Sequence, residues 1–268
     1  MTAEHKALLD AVINLAMSAG EQILTVYGTH FDIHYKHDRS PVTEADRLAD
    51  ETIVAGLKRL TPDIPTLSEE ADAPPFSMRA PWKKLWLVDP LDGTREFVKR
   101  NGEFTVNIAL VENSEPVLGV VYAPVSDTCY YALRGHGAFK KAGQGQPVAI
   151  HTKSYRQDTQ MIVTGSRSHN AGDDLRHFLT QLGPHHYLPM GSALKSCLVA
   201  EGAADVYPRF GPTCEWDTAA AQCIVEEAGG KFTNMALQPL RYNLRDTLLN
   251  PHFLVFGDPT YDWRRVLK

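Results

Sequence analysis

The stretch LWLVDPLDGT, residues 85–94, places two aspartates and a glycine directly after a run of four apolar residues. The apolar run predicts a buried β-strand, and a carboxylate at the end of such a strand is unusual. Pro90 stiffens the turn through its fixed φ, and Gly93 permits a close backbone approach. The amides of Gly93 and Thr94 would begin the next helix, where backbone N–H groups favour a phosphate. The stretch therefore predicts two hard oxygen ligands beside an anion cradle.

Two further acidic groups lie far from this stretch in the sequence. Glu69, followed by Glu70, falls in a loop predicted over 63–81, and Asp217 begins a predicted helix. Two carboxylates ~4 Å apart repel each other by about 4 kcal/mol at an effective dielectric near 20. If these groups converge, they must protonate or bind cations, and oxygen-only ligands suit Mg²⁺, Mn²⁺ or Ca²⁺. Taken singly, Glu69 reads as a solvated loop charge, Asp92 as a turn residue and Asp217 as a helix N-cap.

Hydrophobic periodicity divides the chain into two kinds of organisation. One helix is predicted over 3–27, and a second helix is predicted to end at about residue 60. Strands are then predicted at 85–88, 104–112, 116–122 and 128–133. After residue 158, strands at 161–164, 205–207 and 253–256 alternate with helices at 171–182, 192–201 and 217–228. The first set predicts a sheet of hairpins and meanders, and the second an α/β layer. We therefore expect an α+β part over 1–158 and an α/β part over 159–268.

Composition narrows the class of protein. The chain has 268 residues, of which 43% are hydrophobic and 22% charged, as in ordinary globular proteins. Its net charge of −5 argues against a nucleic-acid binder. Four scattered cysteines suit reduced thiols in a cytoplasmic protein. Asp10, Asn14 and Glu21 interrupt the N-terminal apolar pattern, so we expect neither a signal peptide nor a transmembrane segment. Peripheral contact with the inner membrane stays open.

Three motifs together resemble the inositol monophosphatase superfamily of magnesium-dependent, lithium-sensitive phosphatases. They are the acidic loop 68–70, the D-P-L-D-G-T run at 89–94 and the E-W-D-T-A-A run at 215–220. The resemblance covers nearly the whole chain and implies a layered α-β-α-β-α sandwich of the sugar phosphatase type, with α+β and α/β parts. It is closest to the bacterial 3'(2'),5'-bisphosphate nucleotidases, through residues 38–46, 100–110, 119–124, 166–169, 198–202 and 207–213.

This resemblance implies a small-molecule nucleotide substrate. The implied reaction removes the 3'-phosphate of adenosine 3',5'-bisphosphate (PAP) to give AMP, with the sulfated nucleotide PAPS as a candidate second substrate. An inositol or fructose phosphate phosphatase of the same fold is the alternative. A non-catalytic phospho-ligand binder is a second alternative. The resemblance fits either a monomer or a homodimer.

The resemblance also implies two or three Mg²⁺ ions. The implied metal ligands are Glu69, Asp89, the carbonyl of Leu91, Asp92 and Asp217. The first three would bind one ion, and Asp89 would share a second ion with Asp92 and Asp217. The segment between Glu69 and Asp89 is slightly longer than the family pattern, which makes Glu70 the alternative ligand, and we favour Glu69.

Catalytic roles and substrate contacts complete the predicted site. Thr94, with Glu69 nearby, would orient the attacking water, and Asp46 would contact a third ion or its waters. Read alone, Asp46 lies in a polar helix and is predicted at the surface. Around the phosphate, the resemblance implies Glu69, Leu91, Asp92, Gly93, Thr94 and Asp217. Further contacts to the bisphosphate are predicted from Ser166, Arg167, His169, Gly191, Ser192, Lys195 and Arg209. Ser192 and Lys195 are predicted three apart on one helical face, near the positive end of that helix.

Overall fold

Two helices form the outer layer of the N-terminal part. The computed structural model of the protein describes residues 3–35, 41–156, 158–167 and 172–267. The predicted helices are confirmed as α1 (Ala3–Tyr27) and α2 (Glu44–Leu60). Val12, Ala16 and Ile23 recur at helical spacing on α1 and are fully buried. This face packs against α2 and the large sheet, so α1 is a core element of the fold.

The same helix also passes a test for membrane spans. Over Glu4–Tyr27, α1 is long and apolar enough to cross a bilayer by length and composition, although Asp10, Asn14 and Glu21 lie within it. Core helices pass this test too, and the buried face of α1 is of that kind. The four cysteines all lie in the described part of the chain, where they form no disulfide.

The large sheet has seven strands in sequence order. They are β3 (Thr66–Ser68), β4 (Lys84–Asp92), β5 (Thr105–Glu112), β6 (Glu115–Ala123), β7 (Thr128–Leu133), β8 (Ala138–Ala142) and β9 (Val148–Ile150). Every neighbouring pair is antiparallel except β3 and β4, which confirms the predicted meander. Two strands of two residues each, β1 (His34–Tyr35) and β2 (Pro41–Val42), pair with each other outside this sheet. The sequence reading missed β8 and β9, and it assigned β3 and α3 (Phe76–Arg79) to a loop.

A second sheet forms the C-terminal part. Its order is β11 (His185–Pro189), β10 (Met161–Gly165), β12 (Val206–Arg209), β14 (Phe253–Phe256) and β13 (Lys231–Asn234). Strands β10, β12 and β14 match predicted strands, whereas β11 and β13 were missed. Helix α5 (Asp173–Leu182) and the short 3₁₀ helix Trp263–Arg265 cover its outer face, through Phe178 and Trp263.

Helices α6 (Leu194–Ala200) and α7 (Glu215–Glu227) fill the space between the two sheets. One apolar cluster joins side chains of both helices to Leu87 of the large sheet and Val255 of the small one. The backbone of α7 lies so close to β6 that a Cβ on Gly119 would come 2.3 Å from the carbonyl oxygen of Ala220. The order is helix, sheet, helix, sheet, helix, which confirms the predicted α-β-α-β-α sandwich.

Candidate metal and phosphate site

Three carboxylates from different elements meet where strand β4 ends. Glu69 follows β3, and its amide donates to the carbonyl of Val88 at 3.1 Å, which holds it beside Asp89. Asp217 is the third residue of α7, and its Oδ2 accepts from the amide of Cys214 at 2.9 Å. One carboxylate oxygen each of Glu69, Asp89 and Asp217 lies within 4.8 Å of the other two. Asp217 is therefore not the N-cap of α7, because the helix begins two residues earlier.

Burial and mutual repulsion make this cluster costly when it is fully ionised. Burial raises the pKa of Asp89 well above its ordinary value, and the charges of Glu69, Asp92, Asp217 and Asp46 raise it further. The pKa of Asp217 is raised in the same direction, first by burial and then by Asp92 and Glu69. Such a group must take up protons or bind cations. A cluster of oxygen ligands fits a hard divalent cation such as Mg²⁺.

The structure separates Glu69 from its neighbour in the sequence. Glu69 lines the cavity that contains the acidic cluster. Glu70 lines a different cavity of about 360 Å³, together with Arg47 and Asp50. Of the two residues left open by the sequence, Glu69 is the one that lies among the other carboxylates.

Asp92 lies between the acidic cluster and a buried lysine. Burial raises the pKa of Asp92, while the charge of Lys195 and a 3.4 Å hydrogen bond from Asn107 Nδ2 lower it. Burial lowers the pKa of Lys195 to about 8, and Asp92 acts in the opposite direction. Lys195 Nζ donates to the carbonyl of Ser192 at 2.6 Å and lies 5.4 Å from the ring centre of Tyr207. Lys195 is only 7% exposed, so it is a buried lysine and not a solvated one.

Thr94 connects the DPLDGT turn to helix α2. Its Oγ1 lies 3.3 Å from Asp46 Oδ1 and 3.3 Å from the carbonyl oxygen of Leu91. Asp46 Oδ2 also accepts from the amide and hydroxyl of Thr43, closing a capping box at the start of α2. The surface reading of Asp46 is therefore wrong, since the cap and the contact with Thr94 bury it to 2% exposure.

Two turns approach each other at the wall of the cavity. Gly93 has a φ of +95°, and a Cβ there would come 3.4 Å from Cβ of Ser192. Helix α4 (Thr94–Val98) then begins at Thr94, as the sequence predicts. Ser192 is not on the same helix as Lys195, because α6 begins at Leu194. Its φ of +48° makes it part of a left-handed turn before that helix, a conformation that the helical pattern did not reveal.

These elements enclose a cavity of about 510 Å³. The predicted site residues that line it are Glu69, Asp89, Leu91, Asp92, Gly93, Thr94, Ser166, Gly191, Ser192, Lys195, Arg209 and Asp217. Arg167 is not among the lining residues. It forms an ion pair with Glu103, with Nη2 and Oε1 2.6 Å apart. His169, also predicted as a substrate contact, lies outside the described residues.

Arg209 brings a second cation to the cavity, at the end of β12. Its Nη2 donates to the carbonyl of Pro212 at 3.0 Å, and its buried Nε has no hydrogen-bond partner within the described ranges. Its charge lowers the pKa of Asp217, although burial and the acidic neighbours outweigh it. Arg209 forms no ion pair with a carboxylate in the part of the chain that the structure describes.

A buried polar network behind the cavity was missed by the sequence reading. Glu215 is fully buried, its pKa is raised to about 7 by burial, and its Oε2 accepts from the amide of Asn243 at 2.8 Å. Asn243 Oδ1 in turn accepts from Arg79 Nη1 at 2.8 Å. The network ties α3 to the start of the helix that carries Asp217. The E-W-D motif was a signal for Glu215, but nothing in the sequence links Arg79 to Asn243.

The comparisons with known proteins agree with this architecture. The sequence model of the inositol monophosphatase family matches residues 4–257, so the chain belongs to that family. An inositol monophosphatase structure from Thermotoga maritima is 28% identical, with a TM-score of 0.79 over 97% of this chain and 96% of that one.

Several relatives of higher identity share one name. The 3'(2'),5'-bisphosphate nucleotidase CysQ of Escherichia coli K12 is 48% identical over 250 residues, 92% of this chain and 99% of that protein. The protein of the same name from Haemophilus influenzae is 39% identical, over 99% of this chain and 97% of its own length. The crystal structure of CysQ from Bacteroides thetaiotaomicron is 42% identical and has a TM-score of 0.81, over 94% of this chain and 97% of that one.

Proposed function

We propose that the protein is a magnesium-dependent bisphosphate nucleotidase that hydrolyses the 3'-phosphate of PAP to give AMP and phosphate. The observation that carries this proposal is one cavity lined both by the cluster Glu69, Asp89 and Asp217 and by the cations Lys195 and Arg209. A mononucleotide with two phosphates needs a metal-binding end for the scissile group and fixed cations for the rest. The relatives named bisphosphate nucleotidases, at 39–49% identity, support the same substrate class.

The acidic cluster accounts for the metal dependence. Glu69, Asp89, Asp92, Asp217 and the carbonyl of Leu91 are the groups that would hold two or three Mg²⁺ ions, which supply charge neutralisation and polarisation of the phosphoryl oxygens. Oδ2 of Asp217 accepts from the amide of Cys214, and this hydrogen bond orients the carboxylate that would bind the metal. Asp46, behind Thr94, would reach a third ion or its waters.

Thr94 is suited to orient the attacking water. Its hydroxyl has one hydrogen, which can be donated either to Asp46 or to the carbonyl of Leu91. With that hydrogen engaged, its lone pairs can accept a hydrogen from a water, and the oxygen of that water is left to face phosphorus. Glu69 lines the same cavity as Thr94 and would accept the second hydrogen of the water.

Fixed cations would select the nucleotide part of the substrate. Lys195 is held by the carbonyl of Ser192, and Arg209 by the carbonyl of Pro212, so both charges are oriented in advance. The amides at Gly93 and Thr94, where α4 begins, remain the predicted phosphate cradle. PAPS shares the adenosine 3'-phosphate end with PAP and is the second substrate we propose. We place the reaction in the cytoplasm and propose no attachment to the inner membrane.

A substrate panel tests this function against the alternatives. Phosphate release is measured from PAP, PAPS, inositol 1-phosphate and fructose 1,6-bisphosphate, each with MgCl₂ and with EDTA. We expect the highest kcat/KM for PAP, no turnover in EDTA, and inhibition by lithium. A preference for inositol or fructose phosphates would favour the alternative phosphatase. Binding of PAP without turnover of any substrate would favour the phospho-ligand binder.

A further inference from the structure

Glu103 joins three separate segments through one carboxylate. It lies between α4 and β5, and its side chain is 16% exposed. Oε2 accepts from Arg167 Nε at 2.8 Å and from the amide of Gly191 at 2.9 Å. Oε1 accepts from Arg167 Nη2 at 2.6 Å. The carboxylate therefore connects a loop of the large-sheet part to two turns of the small-sheet part.

One of these turns supports a cation of the proposed substrate site. Gly191 packs so closely that a Cβ on it would come 2.6 Å from the carbonyl oxygen of Glu103. The next residue, Ser192, has the left-handed φ of +48°, and its carbonyl accepts from Lys195 Nζ at 2.6 Å. A displacement at Gly191 would therefore move the carbonyl that orients Lys195.

Arg167 is engaged in a way that argues against direct substrate binding. Its Nε and Nη2 form the bidentate arrangement that guanidinium and carboxylate groups prefer. The pair has no net charge, so it adds little attraction for an anionic nucleotide. Ser166 lines the cavity, whereas Arg167 does not.

We propose that Glu103 is a positioning residue for the Gly191–Ser192 turn, and that Arg167 acts by holding Glu103 and does not contact the substrate. This inference rests on the proposed function, because Lys195 is taken to bind the nucleotide. Glu103 fixes the turn through the Gly191 amide, and the turn fixes Lys195 through the carbonyl of Ser192. The hydrolytic chemistry at the acidic cluster does not pass through Glu103.

Steady-state kinetics on PAP test whether breaking the Glu103–Arg167 pair raises KM. We expect Glu103→Ala and Arg167→Gln each to raise KM by roughly tenfold, the effect of one lost charge-assisted hydrogen bond, with kcat within about twofold. Glu103→Gln keeps one acceptor oxygen, so its KM should lie between those of Glu103→Ala and the wild type. The double variant Glu103→Ala/Arg167→Gln should be no worse than the poorer single variant, because both changes break one unit.

Direct contact of Arg167 with the substrate predicts a different change in KM. If Arg167 contacted the substrate, Glu103→Ala would free its guanidinium and leave KM unchanged or lower it, and that result would overturn the proposal. Glu112→Gln is the matched control, since Glu112 forms an exposed pair with Lys84 at the far end of β4. It should leave KM for PAP at the wild-type value.

Hydrogen exchange provides a readout that does not depend on the substrate. We expect Glu103→Ala to speed amide exchange at Gly191, measured by mass spectrometry on peptides covering 186–196, while Glu112→Gln does not. Unchanged exchange at Gly191 would overturn the positioning role even if PAP is hydrolysed. Faster exchange in a protein that does not hydrolyse PAP would leave the positioning role standing and refute the proposed substrate.

Discussion

Replacing Asp89 with Asn should stabilise the metal-free protein and abolish its activity. Asp89 lies within 4.8 Å of the carboxylate oxygens of Glu69 and Asp217. A pair of unit charges at that distance repels by ~3.5 kcal/mol at an effective dielectric of about 20. Asparagine removes the charge and keeps the oxygen that accepts from the amide of Leu91 at 3.1 Å. The change therefore relieves repulsion without removing the local hydrogen bond.

The size of this stabilisation follows from how the cluster titrates. Protons shared among the carboxylates already relieve part of the repulsion, so we expect a gain on the order of 2 kcal/mol in EDTA, or ~4–8 °C in Tm. The pKa of Asp89 is raised above 3.8 in the folded state, so the ionised form of Asp89 is less favourable in the folded protein than in the unfolded chain. Its contribution to wild-type stability is therefore present below pH 3.8 and is lost as the pH rises through the raised value. The advantage of Asp89→Asn should grow over that interval.

Saturating MgCl₂ should reverse the order of stability. A ligand at a hundred times its Kd stabilises the folded state by about 2.7 kcal/mol, and the variant would lack most of this gain. Differential scanning fluorimetry of both proteins, in EDTA and in MgCl₂, measures the reversal, with Glu112→Gln as the surface control. An Asp89→Asn protein less stable than the wild type in EDTA would contradict the relief of repulsion, and equal stabilisation by Mg²⁺ would contradict the role of Asp89 as a metal ligand.

Three further substitutions probe the other parts of the site. Thr94→Val keeps the shape and removes the hydroxyl, so kcat should fall at least about a hundredfold with little change in KM, whereas a near-normal kcat would show that Thr94 does not orient the water. Arg209→Ala should lower kcat/KM for PAP by roughly ten- to a hundredfold but leave a small generic phosphate ester almost unaffected, and equal losses on both would remove Arg209 from the nucleotide site. Lys195→Met should raise KM for PAP by a similar factor. Because the pKa of Lys195 is lowered to about 8, the wild-type KM should rise above that pH while the KM of the variant stays level. A parallel rise of KM in both proteins would contradict this role of Lys195.

The sequence predicted the elements that have a clear hydrophobic pattern and a well-marked end. Strand β4 and the turn after it follow from four apolar residues and the run DPLDGT, and α1 follows from its helical spacing. The convergence of Glu69, Asp89 and Asp217 was expected from the family resemblance, because no local pattern brings residues so far apart in the chain together. The three-residue strand β3, which places Glu69, is too short to show periodicity.

What the sequence could not predict depends on tertiary contacts. Asp46 looked like a surface residue because its helix is polar, but the capping box and the contact with Thr94 bury it. The ion pair between Arg167 and Glu103 was not predicted, because nothing in the sequence links two residues that lie 64 positions apart. Arg79 and Asn243, 164 residues apart, were missed for the same reason. The left-handed turn at Ser192 lacks the glycine that would have indicated it.

The proposed function requires that this cavity remove the 3'-phosphate of PAP with the help of metal ions held by Glu69, Asp89 and Asp217. The most direct test incubates the wild-type protein and Asp89→Asn with PAP, in MgCl₂ and in EDTA, and separates the products by anion-exchange chromatography. We expect the wild type to form adenosine 5'-monophosphate and inorganic phosphate in equal amounts with Mg²⁺ and neither in EDTA, and the variant to form almost none. Formation of adenosine 3'-monophosphate, or undiminished turnover in EDTA or by Asp89→Asn, would contradict it.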